Sequence, residues 1–154
     1  YLLDFRLPAL ANEPRPGVGP GHEESRPGVG PGHFGQRVDL RQFEGQPTIL
    51  LFFEPECRWC AKQVKTLAAV KEDLPQLQVV AIGVHGSPQA LRGFVRRHRV
   101  AFPALQATDY LLAALGGIPA TPFMLLADHA GRVNAVLRGY TEGEALKRLL
   151  QDLP

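Results

Sequence analysis

Residues 48–63, TILLFFEPECRWCAKQ, constrain this chain more than any other stretch. Thr48 to Phe53 form a continuous run of β-branched, aliphatic and aromatic side chains, the pattern of a strand buried on both faces. The run breaks at Glu54, Pro55 and Glu56. Beyond it the spacing turns helical, with Val64, Leu67, Ala68 and Leu74 near one face and Lys62, Lys65 and Lys71 off it. Both cysteines of the chain, Cys57 and Cys60, stand where this strand hands over to this helix.

Two sulfurs at such a junction have three obvious uses. A structural zinc site typically takes four Cys or His ligands. The sequence has no second CxxC or HxxxH pair, and His85, His98 and His129 are scattered singly. Cross-linking so short a loop removes little entropy from the unfolded chain, and two cysteines are too few for a disulfide framework. Redox exchange is the reading left in the lead. Unpaired N–H groups and the positive end of the helix dipole favour thiolate over thiol, so Cys57 is expected to titrate below a free cysteine. Cys60, one turn deeper, is near enough to close a disulfide. Cys57 is then the expected nucleophile on a partner's disulfide and Cys60 the thiol that resolves the mixed intermediate. Arg58 adds positive charge beside the first sulfur, while Glu54 and Glu56 oppose it. Trp59 is expected to form an exposed apolar rim for partner docking.

Downstream, QLQVVAIGV (76–84) reads as a second buried strand. Ser87 can cap a helix over 87–98 with Pro88 at its first position. A short helix is expected over 109–115, ended by Gly116 and Gly117. FMLLAD (123–128) and RVNAVLRG (132–139) read as strands around a turn at 129–131. Thr141 and Glu144 have capping-box spacing before a last helix that carries Leu146, Leu149 and Leu150 inward. This order predicts an α/β fold in one domain over 1–154. It contains a βαβ crossover, an antiparallel pair, and a central mixed sheet flanked by helices on both faces. With 154 residues, 45% hydrophobic and 21% charged, the chain can bury a sizeable core. A net charge of +2 is too mild to argue for a nucleic-acid partner. The chain starts at Tyr1 rather than Met, so a signal peptide or membrane anchor ahead of it is an expectation.

Near the C-terminus, IPATPF places Thr121-Pro122 directly before an apolar strand. Together with LLDFRLPAL (2–10), VDLRQFEGQPTILLFFEPECRWC (38–60), FPAL (102–105) and GGIPATPFMLLADHAGRV (116–133), it spans nearly the whole chain. In these pieces the sequence resembles the thioredoxin superfamily, and within it the TlpA/ResA-like thiol–disulfide oxidoreductases, bacterial extracytoplasmic proteins that are often membrane-anchored. The resemblance implies a thioredoxin-like fold and a redox-active Cys57–Cys60 disulfide with no other cofactor required. It also implies protein thiol or disulfide substrates, a redox partner protein, and a periplasmic or otherwise extracytoplasmic location. A cis Thr121–Pro122 bond is implied too, in a substrate-binding loop that faces the sulfurs. Proline there offers no N–H, while the backbone of the preceding residue can pair with an incoming peptide. Pro119 is expected to be trans.

The sequence also departs from these relatives. Leu51 stands where thioredoxins carry a buried Asp, and Gln63 where ResA-like proteins often carry Glu. Either carboxylate can relay a proton to the deeper thiol. Glu54 is the nearest substitute, with a solvated loop charge as the alternative. The direction of electron flow is therefore left open. A thiol peroxidase is a weaker reading, because Glu54 stands where peroxiredoxins place Thr or Ser, three residues before the cysteine. A copper-handling protein using the CxxC and repeat histidines is the alternative from another class; copper chaperones of this fold tend to use CxxxC plus histidine.

RPGVGPGH occurs twice, at 15–22 and 26–33. Residues 12–34 read as a Gly/Pro/His-rich insert in the loop between the first two strands. His22 and His33, with Glu23 and Glu24, are candidate ligands for weak Cu(II) or Zn(II) binding; an expanded linker or a partner-binding segment are the other readings. Arg92, Arg96, Arg97 and Arg99 read as the solvated face of a helix.

Overall fold

The structure, a computed structural model, describes residues 5–10 and 37–154. The insert read over 12–34, with His22 and His33, lies outside the described residues. Strands β1 (Arg6–Pro8) and β2 (Arg37–Asp39) pair antiparallel as a two-stranded ribbon. The main sheet contains β3 (Thr48–Phe53), β4 (Gln78–Gly83), β5 (Ala104–Gln106), β6 (Phe123–Ala127) and β7 (Val133–Arg138), in the order β5-β4-β3-β6-β7. Four helices accompany it among the described residues: α1 (Arg58–Asp73), α2 (Pro88–Arg97), α3 (Asp109–Leu115) and α4 (Gly143–Gln151).

β3 is the central strand because all six of its side chains are buried. It runs parallel to β4 and antiparallel to β6, with Phe52 opposite both Ile82 and Phe123. Alternation then divides the core. Ile49, Leu51 and Phe53 join Val79 and Ala81 under Val64 and Leu67 of α1, Leu91 and Phe94 of α2, and Leu146 of α4. Leu50, Phe52, Val80 and Ile82 face the other way, toward Leu7, Leu40, Phe43 and Leu111. The expected mixed sheet with helices on both faces is present, in a thioredoxin-like arrangement.

Local details differ from the sequence reading in three places. α1 buries Gln63 and Val70, whereas Ala68 is exposed and Leu74 falls outside the helix as its C-cap. β5 carries no strand signal in the sequence, because three residues are too few to show a period. It joins the edge of β4 in parallel, and the Leu10 N–H donates to the Ala104 carbonyl at 2.8 Å, tying the N-terminal segment to that edge. The capping box at Thr141 does not form. α4 starts at Gly143 with Glu142 as N-cap and no side-chain cap bond, because the main chain of Thr141 is engaged elsewhere, as described below. By contrast, Ser87 Oγ accepts from the Ala90 N–H at 3.1 Å, with Pro88 at the first turn of α2 as read.

The β6–β7 turn is organised by Asp128. Its carboxylate accepts from the Ala130 and Arg132 N–H groups and from Asn134 Nδ2, each at 3.0 Å. The Arg132 N–H bond is the largest cause holding the Asp128 carboxyl below the ordinary carboxylate range; burial opposes it, and Asn134 and Ala130 add to it. A depressed folded-state value means that the unfolded chain binds the proton more readily, so stability rises with pH across this titration. The contribution is fully present above about pH 4 and lost as pH falls below that. Wild type is therefore expected to lose more thermal stability than Asp128→Asn between about pH 5 and pH 3, measured by thermal melts at each pH. Parallel losses would remove Asp128 from this account.

Candidate functional site

Cys57 is the N-cap residue of α1, with extended backbone (φ −88°, ψ 106°). Its Sγ accepts from the Cys60 N–H at 3.1 Å, so an unpaired amide of the first turn is aimed at the sulfur. Cys60 is fully buried, Cys57 half-buried. Their Cα atoms lie 5.2 Å apart and the two sulfurs are joined as a disulfide.

The loop before Cys57 is held from several sides. The Cys57 N–H closes a turn on the Glu54 carbonyl at 3.3 Å. Arg97 of α2, read from sequence as solvated, donates from Nη2 to the Pro55 carbonyl at 2.9 Å. Gly86 lies against the Pro55 ring so closely that a Cβ there would sit 2.5 Å from Pro55 Cγ. The β3 end and the β4–α2 loop are thus packed together beside the sulfurs.

The Thr121–Pro122 peptide is cis and leads directly into β6; Pro119 is not cis. Thr121 Oγ1 donates to Glu54 Oε1 at 2.8 Å, and His85 Nδ1 lies 3.7 Å from Glu54 Oε2. Glu54 is accordingly no free loop charge: it bridges the strand end to the proline loop. His85 itself has φ +55°, in the left-handed region that few non-glycine residues adopt.

On the α1 side, Gln63 is fully buried and spends both ends of its amide on Thr141. Nε2 donates to the Thr141 carbonyl at 3.0 Å, and Oε1 accepts from its N–H at 2.8 Å. A carboxylate at this position would lack the donor, which gives the amide a structural reason. Tyr140 next door shares a 2.6 Å hydrogen bond with Thr66 and stands 5.7 Å, ring to ring, from Trp59. Lys62 Nζ lies 4.9 Å from the Trp59 ring and 4.8 Å from the Tyr140 ring. Trp59 is 54% exposed. Between the rings and the proline loop opens a trough of about 440 Å³ lined by Trp59, Thr121, Pro122, Gly139 and Tyr140.

Glu54 thus links the Cys57 turn to Thr121, and Trp59 shares a trough with Thr121 and Pro122, while Glu56 and Arg58 are exposed. Leu51 is buried in the sheet between Ala81 and Met124. His98 packs against Phe94 with ring centroids 4.5 Å apart and planes tilted by 57°. Among the described residues no group of three or more His, Cys, Asp or Glu side chains is placed to hold a metal ion. The sequence reading missed Lys62, His85, Arg97 and Tyr140 as neighbours of the site. Only Tyr140 carried a signal, as an aromatic residue just after a strand.

The AhpC/TSA family matches residues 29–143. The thiol-disulfide oxidoreductase ResA of Bacillus thuringiensis subsp. konkukian is 23% identical over 122 residues, covering 77% of this chain and 70% of ResA. The soluble secreted antigen MPT53 of Mycobacterium tuberculosis is 26% identical over 113 residues, covering 73% of this chain and 64% of the antigen. In three dimensions, MTB DsbF superposes with a TM-score of 0.73 at 22% identity, over 99% of this chain and 97% of DsbF. A secreted Mycobacterium tuberculosis disulfide oxidoreductase homologous to E. coli DsbE gives 0.71 at 19% identity, over 99% and 98%. The solved structures carry the fold and the family match carries the kinship: the chain belongs to the AhpC/TSA family, within the thioredoxin superfamily.

Proposed function

We propose that this protein is a thiol–disulfide oxidoreductase that exchanges disulfides with protein substrates outside the cytoplasm. The observation that supports it most is the Cys57–Cys60 disulfide, with its first sulfur at the mouth of α1; a cis Thr121–Pro122 bond and a trough that Pro122 shares with Trp59 add to it. In the reducing direction, the Cys57 thiolate attacks one sulfur of the partner's disulfide. That S–S bond breaks, a mixed disulfide forms, and the partner's other sulfur leaves as thiolate. Cys60 then loses its proton and attacks Cys57 Sγ. The mixed bond breaks, and the partner departs as a dithiol carrying two electrons, leaving Cys57–Cys60 oxidised. The same steps run backward oxidise a partner dithiol.

Thr121 presents backbone to an extended substrate segment, and the trough beside Trp59 and Tyr140 takes an apolar side chain flanking its cysteine. An extracytoplasmic location is supported by the likeness to a protein named as a secreted antigen. A membrane anchor has only the resemblance to often membrane-anchored proteins in its support; among the described residues no helix is long and apolar enough to cross a membrane. Residues 12–34 are read as an insert in this single domain. Copper handling would draw on the reduced Cys57 and Cys60 together with His22 and His33, which lie outside the described residues.

The test is catalysis of insulin reduction by dithiothreitol. The protein is expected to shorten the lag before insulin precipitates, and reduced protein alkylated with iodoacetamide to lose the effect. Equal lags with and without native protein would reject the reading.

A further inference from the structure

We infer that Glu54 is a positioning residue that clamps the proline loop for substrate docking, a role that rests on the oxidoreductase reading. The sequence alone offered Glu54 either as a proton relay or as a solvated charge. The geometry points elsewhere. One carboxylate oxygen takes the Thr121 hydroxyl at 2.8 Å, and the other faces His85 Nδ1 at 3.7 Å. The carboxylate is therefore tied to the proline loop through Thr121, with His85 near its second oxygen.

Its backbone is equally fixed. Glu54 follows directly on the last residue of the fully buried β3, and its carbonyl accepts from the Cys57 N–H at 3.3 Å. Pro55 is held by Arg97 and packed on Gly86. Glu54 is thus a rigid post at the end of the central strand. From that post the carboxylate reaches the residue whose main chain meets an incoming peptide. The Thr121 side chain is drawn toward Glu54 while the same residue lines the trough beside Trp59 and Pro122. The clamp sets the spacing between the docking backbone and Cys57 before substrate arrives. A loop already ordered costs less to bind against, so the clamp lowers KM rather than speeding sulfur exchange.

A hydrogen bond to a charged acceptor is strong enough for its loss to change binding about tenfold. Glu54→Ala is expected to raise KM for insulin about tenfold with kcat within twofold. The Cys57–Cys60 redox potential against glutathione is expected to stay at the wild-type value. Glu54→Gln keeps an oxygen acceptor for Thr121 and is expected to recover most of the KM. Thr121→Val removes the other end of the bond, and adding Glu54→Ala to it is expected to raise KM no further. An unchanged KM in Glu54→Ala overturns the clamp, as does a fully additive double variant. A fall in kcat or a shifted potential at constant KM also overturns it, in favour of an electrostatic role on the sulfurs. Failure of the underlying reading shows itself differently, as absence of activity in wild type.

Discussion

Cys57→Ser is expected to lower the rate of insulin reduction by at least roughly a thousandfold, because a serine hydroxyl stays protonated where a thiolate is the nucleophile. The loss should not come from misfolding. Cys57 is half-buried at a helix mouth, and serine is itself a good N-cap, able to accept the Cys60 N–H in place of sulfur. Thermal stability of the reduced variant is therefore expected to match reduced wild type. Cys60→Ser should behave differently. Its Cys57 can still attack, but the mixed disulfide has no buried thiol to resolve it, so turnover falls while a covalent intermediate builds up. Full activity in Cys57→Ser, by the insulin turbidity assay, would remove Cys57 from the chemistry.

The largest stability effect is expected at Phe53. It is fully buried at the end of β3 and stacks on Phe94 of α2, with ring centroids 4.5 Å apart and planes 26° apart. Truncation to alanine removes that ring from a close-packed layer shared by α1, α2 and α4. Phe53→Ala is expected to cost about 3–5 kcal/mol. For a domain of this size that lowers Tm by roughly 10 °C. Trp59→Ala, two residues past Cys57 and 54% exposed, is the contrasting variant and should fall within about 1 kcal/mol of wild type. Urea melts of the oxidised proteins measure both. A loss below about 1 kcal/mol at Phe53 would mean that the layer closes over the gap and that packing there does not anchor the site.

The central strand and the helix behind the cysteines were legible because both announce themselves locally. TILLFF has no polar interruption, and the CxxC falls where the apolar run breaks. The cis proline was legible only through resemblance, since nothing in IPATPF dictates an isomer by itself. What escaped reading depends on residues far apart in sequence. Gln63 meets Thr141, Arg97 meets Pro55 and Thr121 meets Glu54 only through the tertiary fold. The absent capping box has the same origin. Thr141 has the right spacing to Glu144, but its backbone is committed to Gln63, and the helix starts two residues later. β5 is too short to show alternation and is defined by its neighbour β4. Ala68 was misplaced because the true buried face runs through Gln63, a polar side chain that periodicity of apolar residues does not count.

The exchange mechanism turns on which sulfur strikes first. Reduced Cys60→Ser and Cys57→Ser can each be mixed with insulin and examined by mass spectrometry without reductant. A covalent adduct on Cys60→Ser and none on Cys57→Ser is the predicted outcome; an adduct on Cys57→Ser alone, or on neither, would contradict it.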